Sequence, residues 1–138
     1  MPASEEIVRE LETFYQSYID AFNREDMDAY GAKFAFPYAW VTGDRGLTTC
    51  ATDADHQGVI SKLMIGLKGR GWVRSGIDTF KAWAMADDLG MIVADATRYK
   101  ADGSVLERVR ACYTLRRDGK AWKIVTLAEI KSPHRGPG

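Results

Sequence analysis

One histidine stands out in this sequence as a residue that could take part in acid–base chemistry. His56 follows Asp53, the predicted cap of a third helix, and lies four residues before Ile60 on the apolar face of that helix. Because a histidine titrates near neutral pH, His56 is a candidate general acid or base; the alternative is a histidine satisfied within the core. The other histidine, His134, lies in a predicted disordered tail, so the sequence predicts no metal site.

A predicted ion pair is the second candidate for chemistry. Asp102-Gly103 separates two strand-like runs, and an Asp-Gly pair at such a position favours a tight hairpin turn. That turn places Arg98 opposite Glu107, on the same face as Ala111, and we interpret this face as the interior of a sheet. The pair could act on a bound molecule near the open end of the sheet, or it could be a structural ion pair at the rim of a cavity.

Helices precede the strands that carry this pair. Apolar side chains recur every three or four residues from Ile7 to Phe22 and predict a first helix whose inner stripe includes Tyr15 and Tyr18. A third helix is predicted from Asp53 onward.

Between them, Asp26 is the expected cap of a short second helix with Tyr30 and Phe34 on its inner face and Pro37 at its end. The segment 36–52, which contains Trp40, is predicted to be a loop with one short strand.

Long strands with alternating polarity follow the third helix, at about 72–86, 90–100, 105–117 and 121–131. Helices followed by an antiparallel meander predict an α+β fold in which a curved antiparallel sheet wraps around three N-terminal helices. In the last strand we expect Trp122, Ile124, Thr126 and Ala128 to face inward, and Val125, Leu127 and Glu129 to face outward.

The expected outer face carries an apolar patch of Met91, Val93, Cys112, Val125 and Leu127. Monomers rarely leave such a patch in contact with water. We therefore expect a homodimer through the convex face of the sheet.

Composition limits the classes of partner. The 138 residues contain 19 Lys and Arg and 19 Asp and Glu, a balance that argues against nucleic acid as a partner. Without a membrane-length apolar run or an apolar leader, the sequence predicts no membrane partner and a cytoplasmic protein. We expect a single domain at 1–131, a disordered tail at 132–138, free cysteines and no cofactor.

Two segments resemble a known superfamily. Phe14 to Tyr30, an aromatic-rich helix followed by an Asn-x-x-Asp turn, is similar to the opening of NTF2-like (SnoaL-like, ketosteroid-isomerase-like) domains. Tyr113 to Ile124, with its basic-Asp-Gly-x-x-Trp-x-Ile pattern, is similar to their closing hairpin. The resemblance implies a cone-shaped curved sheet around three helices, a conical cavity and frequent homodimers. Members include isomerases, dehydratases, epoxide hydrolases, polyketide cyclases and proteins with no known reaction, so the fold does not fix the function.

The resemblance also suggests roles for two tyrosines. In ketosteroid isomerases a tyrosine five residues before the asparagine donates a hydrogen bond to the developing oxyanion, and Tyr18 stands five before Asn23. An inward acid of that family aligns with Tyr113, whose phenol can also donate. The family's catalytic aspartate has no match in the segment 36–42, which argues against a ketosteroid isomerase.

These observations predict an NTF2-like protein that binds a small hydrophobic molecule in an apolar cavity. One alternative is a cofactor-independent SnoaL-like isomerase, dehydratase (lyase) or hydrolase with His56, Tyr18 and Tyr113 as its catalytic residues, and another is an adaptor for a protein partner. The expected ligand-binding residues are Tyr15, Tyr18, Phe22, Tyr30, Phe34, Trp40, His56, Arg98, Glu107, Ala111 and Tyr113.

Overall fold

Three helices and six strands make up residues 3–131, the part of the chain that the computed structural model describes. They are α1 (Ser4–Asn23), α2 (Met27–Gly31), β1 (Phe34–Thr42), β2 (Gly46–Cys50), α3 (Asp53–Gly69), β3 (Trp72–Ala86), β4 (Leu89–Lys100), β5 (Val105–Asp118) and β6 (Ala121–Lys131). The predicted disordered tail, 132–138, lies outside the described residues.

Helix α1 lies against the concave face of the sheet through its apolar stripe. Leu11 and Tyr15 on that stripe are almost fully buried. The approach is close because β4 has a glycine below the helix: a Cβ at Gly90 would lie 2.6 Å from a methyl carbon of Leu11. A larger residue at position 90 would force the Leu11 side chain or the helix to shift.

The N-cap of α3 lies one residue before the predicted cap, Asp53. Thr52, not Asp53, is the N-cap: the Thr52 hydroxyl accepts a hydrogen bond from the Asp55 backbone N–H. The Asp55 carboxylate in turn accepts from the Thr52 backbone N–H, which completes a capping box. Asp26 caps α2 as predicted, through a bond from the Ala29 backbone N–H.

The region after α2 is more ordered than predicted. Helix α2 ends at Gly31, and Phe34, expected on that helix, begins β1. Pro37, expected as a helix stop, lies inside β1, where the pairing with β6 is irregular between Phe34 and Ala39. Proline lacks the N–H of a regular ladder, so it is tolerated where the ladder is already interrupted.

The six strands form one sheet in the order β2-β1-β6-β5-β4-β3. Neighbouring strands are antiparallel except β1 and β6, which run parallel. This curved sheet, wrapped around the helices, confirms the predicted α+β class. The sequence did not foresee the parallel pair, because it joins segments far apart in the chain.

The predicted register of β4 and β5 is confirmed. Arg98 pairs with Glu107 and Ala94 pairs with Ala111. Both alanines are buried, so this face is the interior.

The predicted facing of the second half of β6 is wrong. Ala121 pairs with Asp118, and the register shifts between Leu115 and Thr114, where one extra residue of β6 is accommodated. That bulge reverses the alternation beyond Ile124. As a result Leu127 and Glu129 face the interior, whereas Thr126 and Ala128 face outward.

Candidate functional site

A cavity lies between α1, α3 and the concave face of the sheet. It offers about 80 Å³ of space to water-sized molecules, which is room for several of them. Most of its wall is aromatic or aliphatic, and its lining is Tyr15, Tyr18, Ile19, Phe22, Tyr30, Tyr38, Trp40, His56, Val59, Ile60, Leu63, Ser75, Ala94, Ala96, Arg98, Val109, Ala111, Tyr113, Leu127 and Glu129.

Nine of the eleven residues expected to bind a ligand line this cavity, and the other two lie directly behind its wall. The ring of Phe34 packs 4.1 Å from the ring of His56, measured between centroids. The Glu107 carboxylate lies 3.4 Å from the Arg98 guanidinium. The structure therefore brings the expected residues together around one space.

Buried tyrosines supply several of the polar groups of the cavity. Tyr15 and Tyr18 come from one face of α1, Tyr30 from α2 and Tyr113 from β5. The hydroxyls of Tyr18 and Tyr30 are hydrogen-bonded at 3.1 Å, and the Tyr113 ring meets the Tyr18 ring edge-on at 5.5 Å.

Burial keeps these phenols protonated. It raises the pKa of Tyr15 to about 12 and that of Tyr18 and Tyr113 well above the ordinary value of 10.0. At neutral pH each hydroxyl can therefore donate as well as accept a hydrogen bond.

His56 lies in the first turn of α3, enclosed by aromatic rings. It is 1% exposed, and the rings of Tyr30, Phe34, Phe36 and Tyr38 lie between 4.1 and 6.1 Å from it. Desolvation by burial lowers its pKa below 6.5, so the imidazole is neutral at pH 7. Within residues 3–131 its Nδ1 atom has no hydrogen-bond partner. A buried, unpaired ring nitrogen on the cavity wall is available to a polar group of a bound molecule.

A chain of charged groups lies where the cavity adjoins a second, wider pocket. The Arg98 guanidinium lies 3.3 Å from the Glu129 carboxylate and 3.4 Å from that of Glu107, and Arg70 donates a hydrogen bond to Glu107 at 2.8 Å. The side chains of Arg98, Glu107 and Glu129 are each about one-tenth exposed. Sequence reasoning found the first two and missed Glu129, because the bulge in β6 reversed its expected direction.

Two opposing effects act on the pKa of the Glu107 carboxylate. Burial favours its neutral form, but the hydrogen bond from Arg70 and the charges of Arg98 and Arg70 outweigh burial and hold its pKa below the ordinary 4.5. Glu107 is therefore ionised at neutral pH.

Beyond this charged group the cavity continues into a wider pocket of about 860 Å³. The two spaces share Trp40, Val59, Leu63, Arg98 and Glu129 as walls. This wider pocket, called the mouth below, gives a bound molecule room to extend beyond the inner cavity.

Other kinds of site find little support in the described part of the chain. No group of three His, Cys, Asp or Glu residues within 3–131 is placed to hold a metal ion. Cys50 and Cys112 are free, and burial raises the pKa of both thiols. Among the described helices, none has the length and apolar character to cross a membrane.

One family model matches most of the chain. Residues 9–131 match the family model described as NTF2-like protein (DUF6841). A search of curated proteins gives no match.

Solved structures with the same fold are numerous but distant in sequence. An NTF2-like protein of unknown function from Pseudomonas putida KT2440 has a TM-score of 0.76 at 14% identity, covering 94% of this chain and 89% of its own. Aln2 from a Streptomyces species has a TM-score of 0.71 at 16% identity, covering 95% and 94%. A ketosteroid isomerase-like protein from Erwinia carotovora atroseptica SCRI1043 has a TM-score of 0.66 at 16% identity, covering 92% and 97%. At such identities the likeness extends to the fold alone.

Proposed function

This chain belongs to the NTF2-like protein family DUF6841, and from that premise we propose that it binds a small, largely apolar molecule in the cavity between α1, α3 and the sheet. The observation that carries the proposal is unfilled space enclosed by aromatic walls. Ala94, Ala96 and Ala111 face the aromatic stripe of α1, and their small side chains leave room for a ligand. Pockets of this composition, with a few polar points, are typical of small-molecule sites.

The polar points would orient the ligand. The neutral phenols of Tyr18 and Tyr30 and the unpaired nitrogen of His56 offer hydrogen bonds to an uncharged polar atom. Apolar contact would supply most of the affinity, at roughly 25 cal/mol per Å² removed from water.

A direct test is a titration with N-phenylnaphthylamine, a neutral aromatic probe whose fluorescence rises in apolar surroundings. We expect saturable binding with one probe per chain. A signal that rises linearly without saturation, as for non-specific partition, would contradict the proposal.

A cofactor-independent enzyme is the second candidate, and the Tyr18–Tyr30 hydrogen bond beside Tyr113 favours it. Paired phenols can stabilise an oxyanion, and Glu129 or His56 could accept a proton. The similarity to a ketosteroid isomerase-like protein concerns the fold and does not decide between the candidates.

Tyr18→Phe separates binding from catalysis. With tetralone, a flat apolar ketone, in deuterium oxide, we expect the wild-type protein to leave the rate of deuterium exchange next to the carbonyl unchanged. An enzyme that used the Tyr18 hydroxyl would accelerate exchange, and Tyr18→Phe would slow it about 100-fold. For a binding protein, the variant should lower affinity for tetralone by no more than about tenfold, the equivalent of one hydrogen bond. NMR of the exchanging protons measures the rates.

We also propose a homodimer through the convex face of the sheet. Val93 pairs with Cys112 in the centre of this face, and at its β1–β2 edge Val41 and Leu47 are 43% and 64% exposed. Leu127, expected in this patch, lies in the interior instead. An uncovered apolar face of this kind favours self-association.

Light scattering should give about twice the chain mass of 15.4 kDa. Val93→Glu should shift the mass to that of the monomer, because it buries an unpaired charge in an apolar interface. The matched control is Val105→Glu, at an exposed position beside the β4–β5 turn. A monomeric wild-type protein at micromolar concentration would rule out the dimer.

A further inference from the structure

The rim of the mouth carries a net positive charge, whereas the charged side chains of the inner cavity are of both signs. Three segments form its rim: the β1–β2 turn with Asp44 and Arg45, the helix α3 with Lys62, and the end of β6 with Lys131. Three of these four side chains are cationic. Because the formal net charge of the chain is zero, the excess is a local feature of this opening.

The three cations of the rim form no ion pair with the described residues, 3–131. Arg45, Lys62 and Lys131 take part in none of the ion pairs found within residues 3–131. Asp44 is the one acidic side chain among the four rim residues, so the rim carries three positive charges against one negative charge.

The other two cations that line the pocket are paired with carboxylates. Arg70 and Arg98 are matched by Glu107 and Glu129, at distances between 2.8 and 3.4 Å. The positive potential at the mouth therefore comes from the rim, and it attracts anions from solution.

We propose that the ligand is an amphipathic anion, with its apolar body in the inner cavity and a carboxylate, sulfonate or phosphate group at the mouth beside Arg45, Lys62 and Lys131. This inference rests on the proposed binding function and assigns the chemical class of the ligand.

The depth of the cavity explains why the charge belongs at the mouth. An anion in the inner cavity would find no free cation, because Arg98, on the wall shared with the mouth, is already bonded to two carboxylates. It would also lose its hydration among apolar walls, which is costly for an unpaired charge. At the wide mouth the same group stays hydrated and lies beside three cations. A cationic ligand would be repelled there.

A matched pair of probes tests the inference. Anilinonaphthalene sulfonate has the aromatic body of N-phenylnaphthylamine with an added sulfonate. At low ionic strength we expect the sulfonate to bind about tenfold more tightly than the neutral probe, and added salt to remove most of the difference. Each probe should displace the other, because both bodies occupy one cavity.

Charge reversal at the rim locates the effect. Lys62→Glu combined with Lys131→Glu should weaken binding of the sulfonate at least about tenfold and leave the neutral probe unchanged. Neither residue is buried, so the variant should fold. The control is Lys120→Glu together with Lys100→Glu, which changes the net charge equally at exposed positions outside the mouth.

The outcomes distinguish the two proposals. If the neutral probe binds as tightly as the sulfonate, or if the rim reversal affects both probes equally, the assignment of an anionic ligand is wrong while the binding function stands. If the control reversal weakens the sulfonate as much as the rim reversal does, the effect is one of overall charge and the rim site is overturned. If neither probe binds saturably, the binding function itself fails and the inference fails with it.

Discussion

Ala111→Trp is expected to lower the affinity for N-phenylnaphthylamine at least about 100-fold, which corresponds to roughly 2.7 kcal/mol of binding free energy. Ala111 is buried on β5 between Ala94 and Glu129 of the neighbouring strands, and its methyl group faces the cavity. An indole at this position projects into about 80 Å³ of free space and occupies the volume that the probe needs.

The folded state should tolerate this change because it fills existing space. We expect a loss of no more than about 1–3 kcal/mol of unfolding free energy, the usual cost of an enlarged core residue. The matched control is Arg108→Trp, on the opposite face of the same strand, which should bind the probe normally. Unaltered probe binding by Ala111→Trp would place the binding site elsewhere on the protein.

Arg98→Met should have the largest effect on stability. Arg98 is the cation shared by Glu107 and Glu129, and all three side chains are about nine-tenths buried. Its removal leaves buried carboxylates without their common partner, and breaking a buried pair in this way costs about 3–5 kcal/mol. The control is Arg24→Met, which breaks a solvent-exposed pair with Asp26 at 3.9 Å and should cost less than about 1 kcal/mol.

The pH dependence of unfolding gives a second readout for this cluster. In the wild-type protein the pKa of Glu107 is depressed below 4.5, so its contribution to stability is present above pH 4.5 and is lost as the pH falls through the depressed value. In Arg98→Met, the loss of that charge should raise the pKa of Glu107 back toward its ordinary value, and the loss of stability as the pH falls below 4.5 should then be smaller. Denaturant unfolding between neutral and acidic pH measures both slopes. Parallel pH profiles for the two proteins would mean that Arg98 does not hold these carboxylates.

The parts of the fold that could be predicted from sequence are those fixed by local patterns. The helical stripe from Ile7 to Phe22 and the Asp102-Gly103 turn each specify their own geometry. They were enough to place Tyr18 and Arg98 toward the cavity. Because the Asp102-Gly103 turn sets the pairing of the two strands it joins, the β4–β5 register could be predicted without knowledge of the rest of the fold.

The parts of the fold that were predicted wrongly depend on features that no local sequence pattern marks. The bulge in β6 lies at Val125, beside a second apolar residue, Ile124, and the sequence pattern does not mark it, so Glu129 was assigned to the wrong face. Pro37 resembles a helix stop, and only the long-range parallel pairing with β6 accommodates it in a strand. Tyr38 was missed as a cavity residue for the same reason.

The charge at the mouth likewise depends on tertiary structure. Arg45, Lys62 and Lys131 lie in three separate segments of sequence, and each is an ordinary surface cation where it stands. The β1–β2 turn, α3 and the end of β6 bring them to one opening.

A crystal structure of the protein grown with N-phenylnaphthylamine tests the central claim most directly. We expect density for one probe per chain between α1 and the sheet, in contact with Tyr18, Tyr113 and Ala111, with one end of the probe directed toward the mouth. An inner cavity closed by side chains, with the probe absent or bound only to the convex face, would contradict it.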